Sequence, residues 1–267
     1  MKTGKTTTAR TITPWLAELV EALELDQPRV ITTREVAEIA HALGIKGAPS
    51  ELTRRLRERG WLLPLSADGV WEFAPGARAG RFGAGDPHII LRAALAKEPN
   101  FPGQLAYESA AWLLSLSSRQ PERHVLSLPA DYRPSPSIVA EYRIVRHRPN
   151  IPATAVDGLP VWAVESLLVA MASQPTSFRD WPNVLDWLPL AVAQSKAENI
   201  ARELRGRPRS VITKARYLLE RGTASEEFLS DAALRLPDQR PLIYFGARAR
   251  PGHHVAKYNL RDSALPT

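Results

Sequence analysis

The sequence predicts an α+β protein with an N-terminal domain at residues 1–80 and a larger mixed α/β domain at residues 86–267. Three observations lead to this prediction. Apolar residues recur at helical spacing through residues 13–59. Two aromatic runs flank an Asp-Gly turn signal within residues 61–73. A connector rich in Gly and Ala follows at residues 75–85, and short helical and strand patterns alternate after it.

The composition is that of a globular, basic protein. Of 267 residues, 44% are hydrophobic, which is ample for a packed core, and the formal net charge is +7. Cysteine is absent, which excludes disulfides and thiolate chemistry and fits a cytoplasmic location. Because no apolar run approaches the length of a membrane span and the N-terminus is polar, neither a membrane segment nor a secretory signal is expected.

The first helix is predicted from Thr13-Pro14, an N-cap followed by proline at the first helical position. In the second helix, Thr32 and Glu35 have the spacing of a capping box, and Ile31 and Val36 have that of a hydrophobic staple. The residues expected on its buried face are Val36, Ile39, Ala40 and Leu43.

A third helix is predicted to begin at Pro49 and to run towards Trp61. Leu52 and Leu56 mark its buried seam. We call the opposite side the front face, and its predicted members are Ser50, Thr53, Arg54 and Arg57. Arginine can donate two hydrogen bonds to a guanine edge or a phosphate, and Ser and Thr can form hydrogen bonds with bases or phosphates. This face therefore suits a DNA groove.

The segments 61–63 and 70–73 flank Ser66-Ala67-Asp68-Gly69 and predict a β-hairpin. Three helices closed by a hairpin describe a winged helix-turn-helix, whose third helix enters the major groove. Lys46 and Arg34 are then expected to contact phosphates. Arg55 and Arg59 flank the apolar seam, where packing of their stems is an equally good interpretation.

In the larger domain, short patterns predict helices and strands. Helices are expected at 89–96, 107–116, 164–171, 184–188, 190–204 and 211–220, and strands at 125–128, 138–145 and 242–245. The segment 253–258 is expected to pair with the last strand.

Most of the positive charge lies in this larger domain. Residues 1–80 carry a net charge of +1, which leaves +6 for the rest. The most basic stretch is 202–221, and it is either a solvated surface or a second face for phosphate or an acidic partner. The residues proposed for the second surface are Arg205, Arg207, Arg209, Lys214 and Arg216.

No catalytic motif is found in the sequence. A nucleophile elbow and a His-Glu-x-x-His zinc motif are both missing. His253 and His254 are adjacent, and neighbouring residues on a strand point apart, so a shared metal is not expected. The sequence therefore predicts a protein without enzymatic activity, metal or cofactor.

The order of motifs resembles that of the AbiEi-type antitoxins of abortive-infection toxin–antitoxin systems. Tyr107-Glu108-Ser109-Ala110-Ala111 precedes a strand pair, and Gly158-Leu159-Pro160-Val161 precedes Glu165-Ser166-Leu167-Leu168. The segment 214–222 is similar to the family's basic helix ending in Leu-Leu-Glu. Val169 departs from the pattern, because an acidic residue is expected there.

The resemblance implies an antitoxin that represses its own promoter by binding double-stranded DNA through the N-terminal domain. It also implies that the C-terminal domain counters a cognate nucleotidyltransferase-like toxin, without a stable complex. Two alternatives from the residues stay open. One is a ligand-responsive transcription regulator with a sensor domain, and the other is a nuclease or RNA-processing domain carried by a winged helix.

Overall fold

The computed structural model describes residues 13–76, 85–236 and 241–266 and confirms the α+β class. It divides into two compact units: the residues up to Phe101 together with Pro136–Ile138, and Pro102–Ser135 together with the residues from Val139 onward. The division thus follows Phe101, whereas the sequence pattern suggested a boundary at residues 80–86. Most of the predicted connector, residues 77–84, lies outside the described residues.

The first unit contains the predicted three helices and hairpin. Its elements are α1 (Pro14–Asp26), β1 (Val30–Thr32), α2 (Thr33–Ala42), α3 (Pro49–Glu58), β2 (Leu62–Pro64), β3 (Val70–Phe73) and α4 (Ile89–Lys97). The three strands form an antiparallel sheet in the order β1-β3-β2, and α4 packs against β1 and β3. This arrangement fits a winged helix-turn-helix.

The capping box is present at the start of α2. The Thr32 hydroxyl accepts a hydrogen bond from the Glu35 backbone N–H at 3.1 Å, and the Glu35 carboxylate accepts one from the Thr32 N–H at 2.7 Å. Ile31 and Val36 are both buried in the core of the unit. Leu43 was predicted to be buried and is 40% exposed, because it follows the last helical residue and the chain leaves the helical period there.

The chain after Phe101 contributes seven more α-helices and eight more strands among the described residues. The helices are α5 (Tyr107–Leu113), α6 (Pro136–Glu141), α7 (Val164–Ser173), α8 (Val184–Gln194), α9 (Ala197–Leu204), α10 (Arg209–Arg221) and α11 (Glu226–Leu229). The strands are β4 (Gln104–Leu105), β5 (Val125–Ser127), β6 (Arg143–Val145), β7 (Thr154–Val156), β8 (Leu159–Val161), β9 (Ile243–Phe245), β10 (His253–Val255) and β11 (Leu260–Asp262). They form a five-stranded sheet, β6-β5-β4-β8-β7, and a three-stranded sheet, β10-β11-β9.

Two strand predictions for this part of the chain were wrong. The segment 138–145 was predicted to be a single strand, but Pro136 begins the helix α6 and only Arg143–Val145 is extended. The segment 253–258 was expected to pair with β9. Instead β10 pairs with β11, which lies between them and is parallel to β9.

Helix α7 is the centre of the second unit. All residues from Glu165 to Ala172 are buried, and α7 packs against α5, α8, α9 and α10. Helix α10 also packs against α8, and Gly222 directly after α10 makes this close approach possible. A β-carbon on Gly222 would lie 2.5 Å from Val192 Cγ2 and 2.9 Å from Leu188 Cγ.

We therefore expect Gly222→Ala to destabilise the protein by about 1–3 kcal/mol, because the added methyl group forces packed side chains apart. Urea unfolding measures this loss. Gly47→Ala is a matched control, since its added methyl group would meet only the Leu52 side chain, at the longer distance of 3.2 Å. Equal unfolding midpoints for the two variants would contradict the close packing of α8 against the end of α10.

Candidate nucleic-acid interface

The burial of α3 determines which of its residues can meet another molecule. Pro49 occupies the first position of α3. A backbone N–H at this position has no acceptor within the helix, so its absence in proline costs no hydrogen bond. Leu52 and Leu56 are buried in the core of the first unit. Of the predicted front face, Ser50, Arg54 and Arg57 are exposed.

Thr53 does not belong to the exposed surface, which corrects the prediction for the front face. It is only 3% exposed, and its hydroxyl donates to the backbone carbonyls of Pro49 and Ser50, both at 3.1 Å. Thr53 lies three residues before Leu56, and at 100° per residue these two side chains are neighbours on the helix. Its hydroxyl is therefore used within α3.

Arg54 is exposed, but acidic residues of the same helix surround its guanidinium group. Its Nε and Nη2 donate to the two carboxylate oxygens of Glu51, each at 2.8 Å, and Nη1 donates to Glu58 at 2.5 Å. The hydrogen bonds from Arg54, and then from Arg55, lower the pKa of Glu51 to about 2. Glu51 lies three residues before Arg54, and Glu58 lies four residues after it. Residues at these spacings are neighbours on a helix surface, so both ion pairs could be predicted from the sequence.

Arg57 has a different environment. It is exposed, and no carboxylate of the described residues forms an ion pair with it. Its guanidinium carbon lies 6.0 Å from the centroid of the Trp71 ring on β3. The Trp71 ring is itself fixed, because its Nε1 donates to the Thr33 hydroxyl at 3.0 Å. Arg57 thus lies where α3 meets the winged sheet.

The residues beside the front face fall into two groups. Lys46 is exposed, and Arg34 is exposed and pairs with Glu38 at 3.4 Å, a solvated contact of little energetic weight. Arg55 forms an ion pair with Glu51 at 2.6 Å, and its guanidinium carbon lies 5.2 Å from the centroid of the Trp15 ring. Its side chain therefore packs against the first unit. Arg59 is half-buried at the end of α3.

The basic stretch 202–221 does not act as one surface. Arg207 turns inward, where it pairs with Glu203 at 3.6 Å and donates to the carbonyl of Arg148 at 2.9 Å. Arg216 donates to the carbonyls of Leu229 and Leu234. Both side chains therefore hold the fold together. Of the five predicted residues, Arg205 and Arg209 are exposed and Lys214 is half-buried.

A buried carboxylate organises the interior of the second unit. Glu203 is 0% exposed, and it accepts hydrogen bonds from the Ser166 hydroxyl at 2.6 Å and from the Asn150 backbone N–H at 2.9 Å. It thereby connects α9 to α7 and to the loop before β7. Sequence reasoning missed this role, because the partners are 37 and 53 residues away.

Other residues of the motifs that resemble the AbiEi-type antitoxins also have structural partners. Glu165 accepts from the Lys196 N–H at 2.9 Å, and Glu108 pairs with Arg143 at 2.6 Å. Val169, where an acidic residue was expected, is 1% exposed inside α7. A carboxylate at this position would need a buried partner, so Val169 makes a packing contact in place of a charged one.

The histidines of the second unit carry no metal-binding arrangement. Burial lowers the pKa of His124, and burial together with the charge of Arg207 lowers the pKa of His147 to about 4. The ring of His147 is therefore neutral at pH 7. Within the described parts of the chain, no group of three or more His, Asp or Glu residues could hold a metal ion. None of the described helices has the length and apolar character needed to cross a membrane.

Comparison with known proteins identifies a family and a structural relative that matches over nearly the whole chain. The sequence model of the AbiEi antitoxin C-terminal domain matches residues 103–221. The crystal structure of the RV2827C protein from Mycobacterium tuberculosis is similar, with 31% sequence identity and a TM-score of 0.72. The match covers 96% of this chain and 94% of that one. No curated protein matches the sequence significantly.

The buried carboxylate gives a direct test of the second unit. We expect Glu203→Ala to lower the free energy of unfolding by about 3 kcal/mol or more, because the Asn150 N–H and the Ser166 hydroxyl lose a buried acceptor. Chemical denaturation followed by circular dichroism measures the loss. Glu198→Ala is the control, since Glu198 is exposed on the same helix. If both variants unfold like the parent protein, Glu203 does not organise the interior.

Proposed function

The chain belongs to the AbiEi antitoxin family, and we propose that it represses its own promoter by binding double-stranded DNA through the winged-helix unit. Membership of this family supports an antitoxin role in a toxin–antitoxin system, and the family is not an enzyme family. We further propose that the cognate toxin is nucleotidyltransferase-like and that the antitoxin counters it without a stable complex.

One observation carries the DNA-binding proposal, namely the exposed side of α3 beside the winged sheet. The major groove admits one α-helix, and the helix must then present polar side chains on the side away from its core. Ser50 and Arg57 meet this requirement, and Arg57 lies next to Trp71 of the sheet. Lys46 is placed just before α3, where it can contact a phosphate.

Because Arg54 forms ion pairs within α3, we propose that it contributes less to DNA binding than Arg57 does. A guanine edge or a phosphate competes with Glu51 and Glu58 for the guanidinium group of Arg54, because three of its five N–H groups already donate to these carboxylates. The two carboxylates also repel the DNA backbone. We therefore assign the largest single contribution to Arg57, which has no such competitor among the described residues.

We expect Arg57→Ala to weaken binding to a duplex of the chain's own promoter by about 1–3 kcal/mol, as for an arginine that contacts a base. Fluorescence anisotropy at fixed salt concentration measures the affinity. Thr53→Val is the matched control on the same helix, because Thr53 is buried and its hydroxyl bonds only within α3. Wild-type affinity for Arg57→Ala would show that α3 does not bind the promoter through this residue.

A second variant tests the competition for Arg54. Glu58→Gln removes one partner of Arg54 and one repulsive charge, so promoter affinity should rise about threefold at low salt and less at high salt. Glu21→Gln on α1 makes the same change of net charge at another exposed position. An equal gain from both variants would assign the effect to net charge alone, and the local competition would be disproved.

A further inference from the structure

A cavity of about 450 Å³ lies in the second unit between α10, the loop after α7 and the segment that contains β9. Two cationic side chains line it, Lys214 from α10 and Arg248 from the loop after β9. None of its lining residues is acidic. Another cavity of the second unit is different, because Glu108, Glu122 and Asp180 line it together with its arginines. The first cavity therefore keeps an uncompensated positive charge.

Two hydroxyl groups in the same cavity are available as hydrogen-bond donors. The side chains of Thr176 and Ser210 line it, and they have no hydrogen-bond partner among the described residues. Ser173 also lines the cavity, but its hydroxyl donates to the carbonyl of Val169 at 2.8 Å. Two charged groups and two hydroxyls thus point to one acceptor-rich ligand.

The position of Lys214 makes its positive charge energetically unfavourable when no anion is bound. Lys214 is half-buried, and both this burial and the nearby charge of Arg248 lower its pKa. No carboxylate of the described residues forms an ion pair with either side chain. An anion between the two cations would offset their repulsion and the desolvation of Lys214.

Two further features favour an anion at this place. Ser210 and Lys214 are four residues apart and share one side of the first turns of α10, a helix of 13 residues whose N-terminal end carries partial positive charge. Arg248 is held near the cavity, because its guanidinium carbon lies 5.0 Å above the Tyr244 ring. Tyr244 also lines the cavity and offers an apolar surface beside the cations.

We propose that this cavity binds a phosphoryl group through Lys214, Arg248, Thr176 and Ser210. The volume is at the lower end of the range of small-molecule sites, and it can hold free phosphate or a small phosphate ester such as a nucleoside monophosphate. The site is separate from α3 and does not depend on promoter binding. It gives the second unit a small-molecule ligand in addition to any macromolecular partner.

Isothermal titration calorimetry with inorganic phosphate and with adenosine monophosphate tests the proposal on the full chain. We expect saturable binding of at least one probe with a dissociation constant of about 1 mM or lower. Lys214→Met and Arg248→Gln should each weaken it about tenfold or more, because each removes a charge-assisted hydrogen bond. Arg202→Gln, an exposed change on α9 with the same loss of charge, should bind as the parent protein does.

The two probes separate the sources of the phosphoryl group. Tighter binding of adenosine monophosphate assigns the site to a phosphate ester, and equal binding assigns it to phosphate alone. The absence of saturable binding for both probes up to about 10 mM would overturn the proposal. Wild-type affinity in Arg248→Gln would also overturn it, and because Arg248 is exposed, this variant decides even if Lys214→Met does not fold.

Discussion

The burial of Leu52 and Leu56 is the constraint on which the candidate interface depends. Each side chain contributes about 1.5–3 kcal/mol of hydrophobic stabilisation by leaving water, and together they fix the rotation of α3 about its own axis. Their contacts belong to a core that also contains residues of α1, α2 and the hairpin. Given that rotation, Thr53 is buried beside Leu56, and Arg57 is exposed next to the sheet.

The carboxylates of α3 limit what the helix can do. Glu51 and Glu58 hold the guanidinium group of Arg54 in place, and they also offset its charge. Residues 1–80 carry a net charge of only +1, so the first unit offers little long-range attraction for a polyanion. Binding through α3 would therefore rest on the geometry of a few side chains. Lys46, Arg57 and Arg59 are cations of this region with which no described carboxylate forms an ion pair.

Local signals predicted the local features of the fold. Proline at Pro14 and Pro49, the Thr32–Glu35 capping box and the Asp68-Gly69 turn each act within a few residues, and the structure contains the corresponding elements.

Features that depend on distant partners could not be predicted in this way. The Glu203 network and the pair of Lys214 and Arg248 join residues more than 30 positions apart. The hairpin β7-β8 is a local feature that was nevertheless not predicted. Its turn at Asp157 and Gly158, both with positive φ, is an Asp-Gly turn like that at Asp68-Gly69. For the candidate site, the helical wheel placed Ser50, Arg54 and Arg57 on the exposed side but misplaced Thr53.

We propose that the exposed side of α3 lies in the groove of the chain's own promoter. The chain has no cysteine, so Ser50→Cys creates a single attachment point for an iron chelate that cleaves nearby DNA. We expect cleavage confined to one short tract of the promoter, and Arg57→Ala in the same background should weaken it. Absence of cleavage from Ser50→Cys, under conditions where the protein binds the promoter, would show that α3 does not lie in the groove.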